Sequence, residues 1–217
     1  YPGGYPMVYD PQTSKTRFYN IPIPHQGIIS VTPDESRQLA YISTCSDERP
    51  IESTHFLVLN LANGSYQKLL DCRHMYAFIV VDYRGRAYHP VLGGQIARYD
   101  PTTKKLDLLT QTVDGKPPTQ QSRLAHPESH PINWEVSPDR KTLYAVAMSH
   151  NALYKYDLTG TGKTLAAARI GPLVAGASKT DCRALCVSRN GTVWAGVAAT
   201  DSSGSQQLRI ISYRPGD

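Results

Sequence analysis

The chain alternates short apolar, β-branched runs with clusters of turn residues, and the alternation repeats. Gly27-Ile28-Ile29-Ser30-Val31-Thr32-Pro33-Asp34 matches Ile132-Asn133-Trp134-Glu135-Val136-Ser137-Pro138-Asp139. Looser copies run from Ala77 to Gly85 and from Arg183 to Gly191. Each is a β-rich run closed by Ser/Thr-Pro-Asp or Asp/Asn-x-Gly, which signals a hairpin. A second run then opens on an aromatic residue: Tyr41, Tyr88, Tyr144 and Trp194. A third run carries a recurrent phrase, Val8-Tyr9-Asp10-Pro11-Gln12-Thr13, again as Arg98-Tyr99-Asp100-Pro101-Thr102-Thr103. Looser forms stand at Leu59-Asn60-Leu61, Tyr156-Asp157-Leu158 and Tyr213-Arg214-Pro215. A fourth run follows in Tyr66 to Leu70 and in Leu106 to Thr110.

The phrase returns at intervals of roughly 40–57 residues, the period of propeller blades. Four strands in meander order per repeat predict an all-β fold, a β-propeller of four-stranded antiparallel blades. The repeats divide a single domain, 1–217, at approximately 1–24, 25–73, 74–129, 130–180 and 181–217. No helical periodicity is sustained. The Ala-rich run from Leu165 to Ile170 is too short, and too near Gly171-Pro172, to read as a helix. The chain opens in a third strand (Tyr5 to Asp10) and closes in one (Leu208 to Tyr213). About four blades are therefore visible, and they are expected to belong to a seven- or eight-bladed ring, since an open ring leaves exposed sheet edges. Closure by dimerisation and a small closed ring are the alternatives.

Composition adds little to this picture. Tyr dominates the aromatics (14, against three Phe and two Trp), which suits half-buried strand surfaces. No apolar run approaches a membrane span. The chain does not begin with Met and carries no signal peptide, so a processed or excised piece is expected, with periplasmic or extracellular location. The net charge of +5 agrees with an ordinary basic surface or an anionic partner. Lys and Arg are scattered without interleaved aromatics, which argues against nucleic acid. The four cysteines, Cys45, Cys72, Cys182 and Cys186, form no metal or haem motif. Cys182 and Cys186 should share one strand face, too far apart to bridge. A Cys45–Cys72 disulfide is geometrically open, with four small thiols as the alternative.

Val136-Ser137-Pro138-Asp139-Arg140-Lys141-Thr142-Leu143-Tyr144 and Ala97-Arg98-Tyr99-Asp100-Pro101-Thr102-Thr103 carry a family resemblance. They resemble the repeats of a broad propeller superfamily. It includes the streptogramin lyases, the gluconolactonases, the YVTN-type surface-layer propellers, and the oligogalacturonate and ulvan lyases. The resemblance covers nearly the whole chain. Its motifs are structural and shared by many activities, so it bears on fold and leaves function open.

In such a propeller the innermost strand runs along the central channel, and ligands bind where that strand starts. Six positions before the aligned valines stand His25, Met75, His130 and Asp181. His74, preceded by Arg73, lies one residue off that register, and Asp181-Cys182-Arg183 occupies the last repeat. Loops after the second strands add Cys45 to Arg49, Glu52 and His55, then His150-Asn151, then Asp201. All seven histidines fall in or near these regions; His89 begins a second strand and His126 sits further out on a long loop. Any one of them is ordinarily a polar loop residue. Convergence of His25, Arg73, His74, His130 and Arg183 on one funnel is what points to a ligand, because like charges oppose such clustering.

Three chemistries fit these residues. His25, His74 and His130 are candidate ligands of a divalent metal (Mn, Zn or Ca), although no local His-x-His pair exists. Resemblance to the polysaccharide lyases implies a second chemistry: His74 or His130 as base, Tyr76 as acid, and Arg73 with Arg183 clamping the carboxylate of an acidic sugar. His25, Asn133 and His150 would then be further substrate contacts. Resemblance to the gluconolactonases implies a third, lactone hydrolysis at a Glu/Asn/Asp metal cage, for which Asn133 and Asp181 are the matching types. A small molecule or acidic oligosaccharide is thus the expected ligand. A non-catalytic scaffold for protein or cell-surface contacts, using outer-strand Tyr and Lys, is the alternative.

Overall fold

The computed structural model describes residues 4–20, 23–46, 54–73, 78–91, 93–117, 132–147 and 150–216. Apart from one short 3-10 helix, Glu35–Arg37, the elements of these residues are strands. The chain divides into two compact units, residues 1–79 and 80–217. The first holds the hairpin β1 (Met7–Asp10) and β2 (Lys15–Phe18), and an antiparallel meander of β3 (Gln26–Asp34), β4 (Leu39–Ser46), β5 (His55–Asn60) and β6 (Tyr66–Asp71). The second holds β7 (Val80–Val81), β8 (Ala87–Val91), β9 (Gln95–Asp100) and β10 (Lys105–Val113). It continues with β11 (Ile132–Val136), β12 (Thr142–Ala147), β13 (Leu153–Asp157) and β14 (Thr164–Gly171). It ends with a three-stranded sheet of β15 (Lys179–Val187), β16 (Val193–Thr200) and β17 (Gln206–Tyr213). The all-β expectation holds.

The recurrent phrase does two physical jobs. Its acidic or amide residue closes the hairpin between the third and fourth strands as an Asx turn. Asp10 accepts hydrogen bonds from the Gln12 amide (2.9 Å) and the Thr13 hydroxyl (2.7 Å). Asp100 accepts from the Thr102 amide, Asp157 from the Thr159 amide, and Asn60 from the Ala62 amide. The residue before it packs backwards, onto the preceding sheet. Leu59 is buried with Tyr19, at the end of the β1–β2 hairpin. Tyr156 is buried with Tyr88 and Ile96 of β8 and β9. Tyr213 lies 6.2 Å from Tyr144 of β12. Strand alternation then feeds two cores from one sheet. In β12, Leu143 and Ala145 join the cluster shared with β8 and β9, while Tyr144 and Val146 join the cluster shared with β16.

Three features add to or correct the expectation. The Ala-rich run at 165–170 is a strand, β14, the fourth of its meander. Its start pairs in parallel with the end of β10 over Thr110–Val113, which joins two meanders into one eight-stranded sheet. Buried Gln111 locks that seam, donating to Gly94 O (2.7 Å) and accepting from the Tyr156 hydroxyl (3.0 Å). Thirdly, Cys182 and Cys186 do not share a face. A bulge between Cys182 and Ala184 flips the alternation of β15, so Cys182 is buried and Cys186 exposed. None of the four cysteines forms a disulfide; burial pushes Cys182 up to about 11 and Cys72 higher still.

A buried polar network ties the β7–β8 hairpin to the loop after β13. Asp82 and Arg86 are both buried and pair at 2.6 Å. Asp82 also accepts from the amides of Arg84 and Arg86 (2.9 Å each) and from the Tyr88 hydroxyl (2.8 Å). Burial and the Asp82 charge both keep that phenol protonated. Each terminal nitrogen of Arg86 donates to a carbonyl, one to Leu158 O (2.6 Å) and the other to Gly160 O (3.1 Å). Arg98 donates to Asp107 and to Thr161 O alongside. Removing one partner of such a pair strands a buried charge, at a cost of about 3–5 kcal/mol. Asp82→Ala should therefore lower unfolding stability by that order, measured by urea titration, while Asp107→Ala, at the half-exposed end of the network, should cost far less.

Candidate functional site

The sheet β3–β6 presents one end made of the starts of β3 and β5 and the ends of β4 and β6. A row of polar side chains crosses it. Buried Gln26 accepts from the Thr44 hydroxyl (2.7 Å), and Thr44 Oγ1 accepts from the His55 amide (3.1 Å). Next in the row, His55 Nδ1 is hydrogen-bonded to Asp71 Oδ1, and Lys68 donates to the same carboxylate (3.1 Å). Partial burial raises the Asp71 pKa, but the hydrogen bonds from Lys68 and His55 outweigh it and hold the carboxyl below its usual range. An ionised carboxylate can only accept, so Nδ1 carries a proton, and in a singly protonated ring Nε2 is the acceptor. That is the arrangement used to orient a general base or a metal ligand.

Two exposed basic side chains flank this row. His25 immediately precedes β3 with φ of 59°, and Arg73 follows β6 with φ of 52°. Both are in the left-handed region that non-glycine residues rarely adopt. The first unit thus gathers an oriented imidazole, a second imidazole and a guanidinium at one sheet end. His55, which the sequence placed only in a loop, is the residue of this set with a built environment. Its partner Asp71 stands 16 positions away and was not legible as such.

In the second unit the predicted residues divide into structural and available groups. Asn133 donates to Cys182 O (2.6 Å), bridging β11 to β15. Asn151, beside His150, staples the start of β13 to Val174 through both its amide atoms (2.8 and 3.0 Å). His150 is partly buried. β15 starts earlier than expected, so Asp181 and Arg183 lie within the strand, with Arg183 at the bulge. Arg183 is exposed and pairs with Asp181 (2.9 Å), whose hydrogen bond and charge raise its pKa. Such an exposed pair contributes little and exchanges readily for a ligand carboxylate. Glu135, two residues along β11 from Asn133, is a further half-buried acid whose pKa is raised by burial. His89, by contrast, is fully buried within β8, off the sheet end.

His74, Tyr76 and His130 lie outside the described residues. Among the described residues no group of three or more His, Cys, Asp or Glu is placed to hold a metal ion. Among the described residues no helix is long and apolar enough to cross a membrane. A cavity of about 810 Å³ opens at the opposite end of the first unit, between the β1–β2 hairpin and β3–β5. Apolar Val8, Val31, Leu59 and Leu61 line it together with the charged side chains of Asp10, Lys15, Arg17 and Glu35.

No protein-family model and no curated protein matches the chain. Solved structures do. A 6-phosphogluconolactonase candidate from Bacteroides uniformis is similar over 97% of this chain and 64% of that one, at 15% identity and a TM-score of 0.54. The extracellular domain of a hybrid two-component system candidate from B. thetaiotaomicron matches 97% of this chain and 25% of its own, at 13% identity and a TM-score of 0.56. An auxiliary nutrient binding protein from Bacteroides ovatus matches 95% and 56%, at 12% identity and a TM-score of 0.53. The chain spans less than two thirds of the length of each of these three structures. The likeness shows a β-propeller-type fold.

The Asp71 pair predicts a pH dependence. A carboxyl whose pKa is lowered on folding stabilises the fold above its unfolded value, near pH 4, and the contribution is lost as pH falls through the folded value. Asp71→Asn should therefore unfold at a lower temperature than wild type at neutral pH, and the difference should shrink as pH falls below about 4, followed by thermal melts across pH.

Proposed function

We propose that this chain is part of a ligand-binding propeller of seven or eight four-stranded blades, acting on an acidic carbohydrate from the end of the sheets where the inner strands start. The observation that carries the reading is the His55–Asp71 pair with Arg73 exposed two residues further on. An oriented imidazole beside a guanidinium suits proton transfer next to a carboxylate. His74 or His130 as base, Tyr76 as acid, and Arg73 with Arg183 on the carboxylate remain the assignment for elimination. His25, Asn133 and His150 are the further contacts, with the Asn133 amide already donating to Cys182 O. The nutrient-binding and lactonase-candidate neighbours agree with a small or sugar-like ligand, and lactone hydrolysis is the second catalytic reading. The extracellular neighbour agrees with a periplasmic or extracellular location.

The test is binding and turnover of acidic oligosaccharides and of sugar lactones, with metal content (Mn, Zn, Ca) measured on the same preparation. Arg73→Ala should weaken binding of the acidic sugar at least tenfold and leave neutral sugars unaffected. His74→Ala and His130→Ala should each abolish release of unsaturated product. Full turnover in both would sink elimination at these residues, and binding indifferent to Arg73 and Arg183 would favour the non-catalytic scaffold.

A further inference from the structure

In the second unit, the hairpins β7–β8 and β11–β12 meet at the strand end opposite to Asn133 and Asn151. The Tyr83 amide donates to Arg140 O (3.1 Å), and the Leu158 amide to Lys141 O (2.9 Å). Those bonds join the two hairpin turns and the loop after β13 into one surface. The Tyr83 ring, 38% exposed, lies within it. The Arg84 guanidinium stands 5.2 Å from the ring centroid and the Lys141 ammonium 5.7 Å, both within cation–π reach. Arg84, Arg140 and Lys141 are all exposed. The acids nearby are engaged by the fold. Asp82 is buried against Arg86, and Asp139 accepts from its own turn, the Ser137 hydroxyl (2.6 Å) and the Lys141 amide (3.1 Å). Like charges oppose one another, and a gathering of them on a surface marks where an anion is met.

Arg140 carries the argument further. In three hairpins of this unit the amide of a left-handed residue donates to the carbonyl three positions back: Gly85 to Asp82 O, Arg140 to Ser137 O, and Gly191 to Ser188 O. Their φ values are 80°, 56° and 85°. Glycine adopts that conformation freely and arginine does not. The turn would be made as well by glycine at 140, so the arginine contributes its charge and not the backbone shape. Further blades of a ring would pack on sheet faces and leave strand ends open, so this surface does not depend on them.

We propose that this surface binds an acidic peptide segment of a partner protein, with its carboxylates on Arg84, Arg140 and Lys141 and an apolar side chain on the Tyr83 ring. Three cations on two adjoining turns match about two or three carboxylates of a short segment. A nucleic-acid strand needs a basic groove with successive stacking platforms, and this cluster holds one ring. A membrane surface needs a broader apolar face beside the charge. The proposal does not rest on the carbohydrate reading, whose observed pair and Arg73 belong to the first unit.

Fluorescence anisotropy of a labelled oligo-glutamate peptide, titrated with the 217-residue chain, tests it. An oligo-glutamine peptide, a single-stranded oligonucleotide and co-sedimentation with phosphatidylserine vesicles are the other arms. The glutamate peptide should bind, the glutamine peptide should not, and added salt should weaken the binding. Arg140→Gly should weaken it about tenfold, with a melting temperature no lower than wild type, because glycine suits the turn. Lys141→Ala and Tyr83→Leu should weaken it as well. Lys116→Ala, exposed beyond the other end of β10, removes the same charge and should leave the affinity unchanged. No binding of the glutamate peptide, or equal binding of both peptides, would overturn the proposal. So would Arg140→Gly and Lys141→Ala variants that bind like Lys116→Ala, since net charge alone would then be at work. Tighter binding of the oligonucleotide or the vesicles would overturn it too, in favour of another class of partner.

Discussion

The strands β5, β13 and β17 each press one aromatic or leucine side chain against the sheet or meander before them. Tyr156 and Leu59 are fully buried by this contact, and Tyr213 packs partly against Tyr144. A buried side chain of this size stabilises by roughly 1.5–3 kcal/mol. The larger consequence is register. Side chains alternate with a period of two, so a slip of one residue would turn each strand's apolar set to the wrong face. β12 shows how little slack exists: four consecutive residues, Leu143 to Val146, are all buried, two to each side. The turn-closing Asp or Asn that follows the anchor therefore does more than make a hairpin. It fixes the position at which the anchor stops, and with it the face that every residue before it must take.

Where a strand is too short to supply such anchoring, polar contacts replace it. β7 has only two residues, Val80 and Val81. The Asp82–Arg86 pair reaches from its hairpin to the carbonyls of Leu158 and Gly160. A buried ion pair is a poor source of net stability, because desolvation opposes the Coulomb attraction. It is a directional one, since each of the three side-chain nitrogens of Arg86 meets a fixed acceptor. The same holds at the seam of β10 and β14, where Gln111 joins strands that belong to different meanders. Both devices act across the boundary between successive repeats, where apolar packing alone tolerates sliding.

The fold was legible because its signals are local. The Asp of the phrase, the Ser-Pro-Asp turn and the second-strand aromatic each act within a few residues of themselves. What escaped the sequence is long-range or depends on a single displaced residue. Arg86 and Leu158 are 72 positions apart, and nothing in Val-Asp-Tyr-Arg-Gly-Arg announces the partner. β14 lacks alternation that the sequence could show, since its start is specified by a parallel neighbour in another repeat. The bulge in β15 moves Cys186 to the opposite face from Cys182 and lifts Arg183 outward, although the spacing of four residues implies one face. At the site, His25 and Arg73 stand exposed at the sheet end. The His55–Asp71 pair was hidden because its partners start one strand and end the next.

The same stacking constrains where chemistry can occur. Both faces of a sheet such as β11–β14 are consumed by its neighbours, so polar groups with freedom to meet a ligand are confined to strand ends. Even there some are already committed: Asn133 and Asn151 spend their amides on the backbone atoms of Cys182 and Val174. Arg183 is held only by an exposed carboxylate, which solvent screens and a ligand can replace. His55 is committed at Nδ1, and that commitment orients Nε2 rather than consuming it. A side chain whose one polar atom is fixed by the fold and whose other is directed away from it is the arrangement that separates a working group from a merely polar one. Among the described residues of the first unit, His55 has one ring nitrogen held in this way, and exposed Arg73 follows its partner Asp71 by two residues.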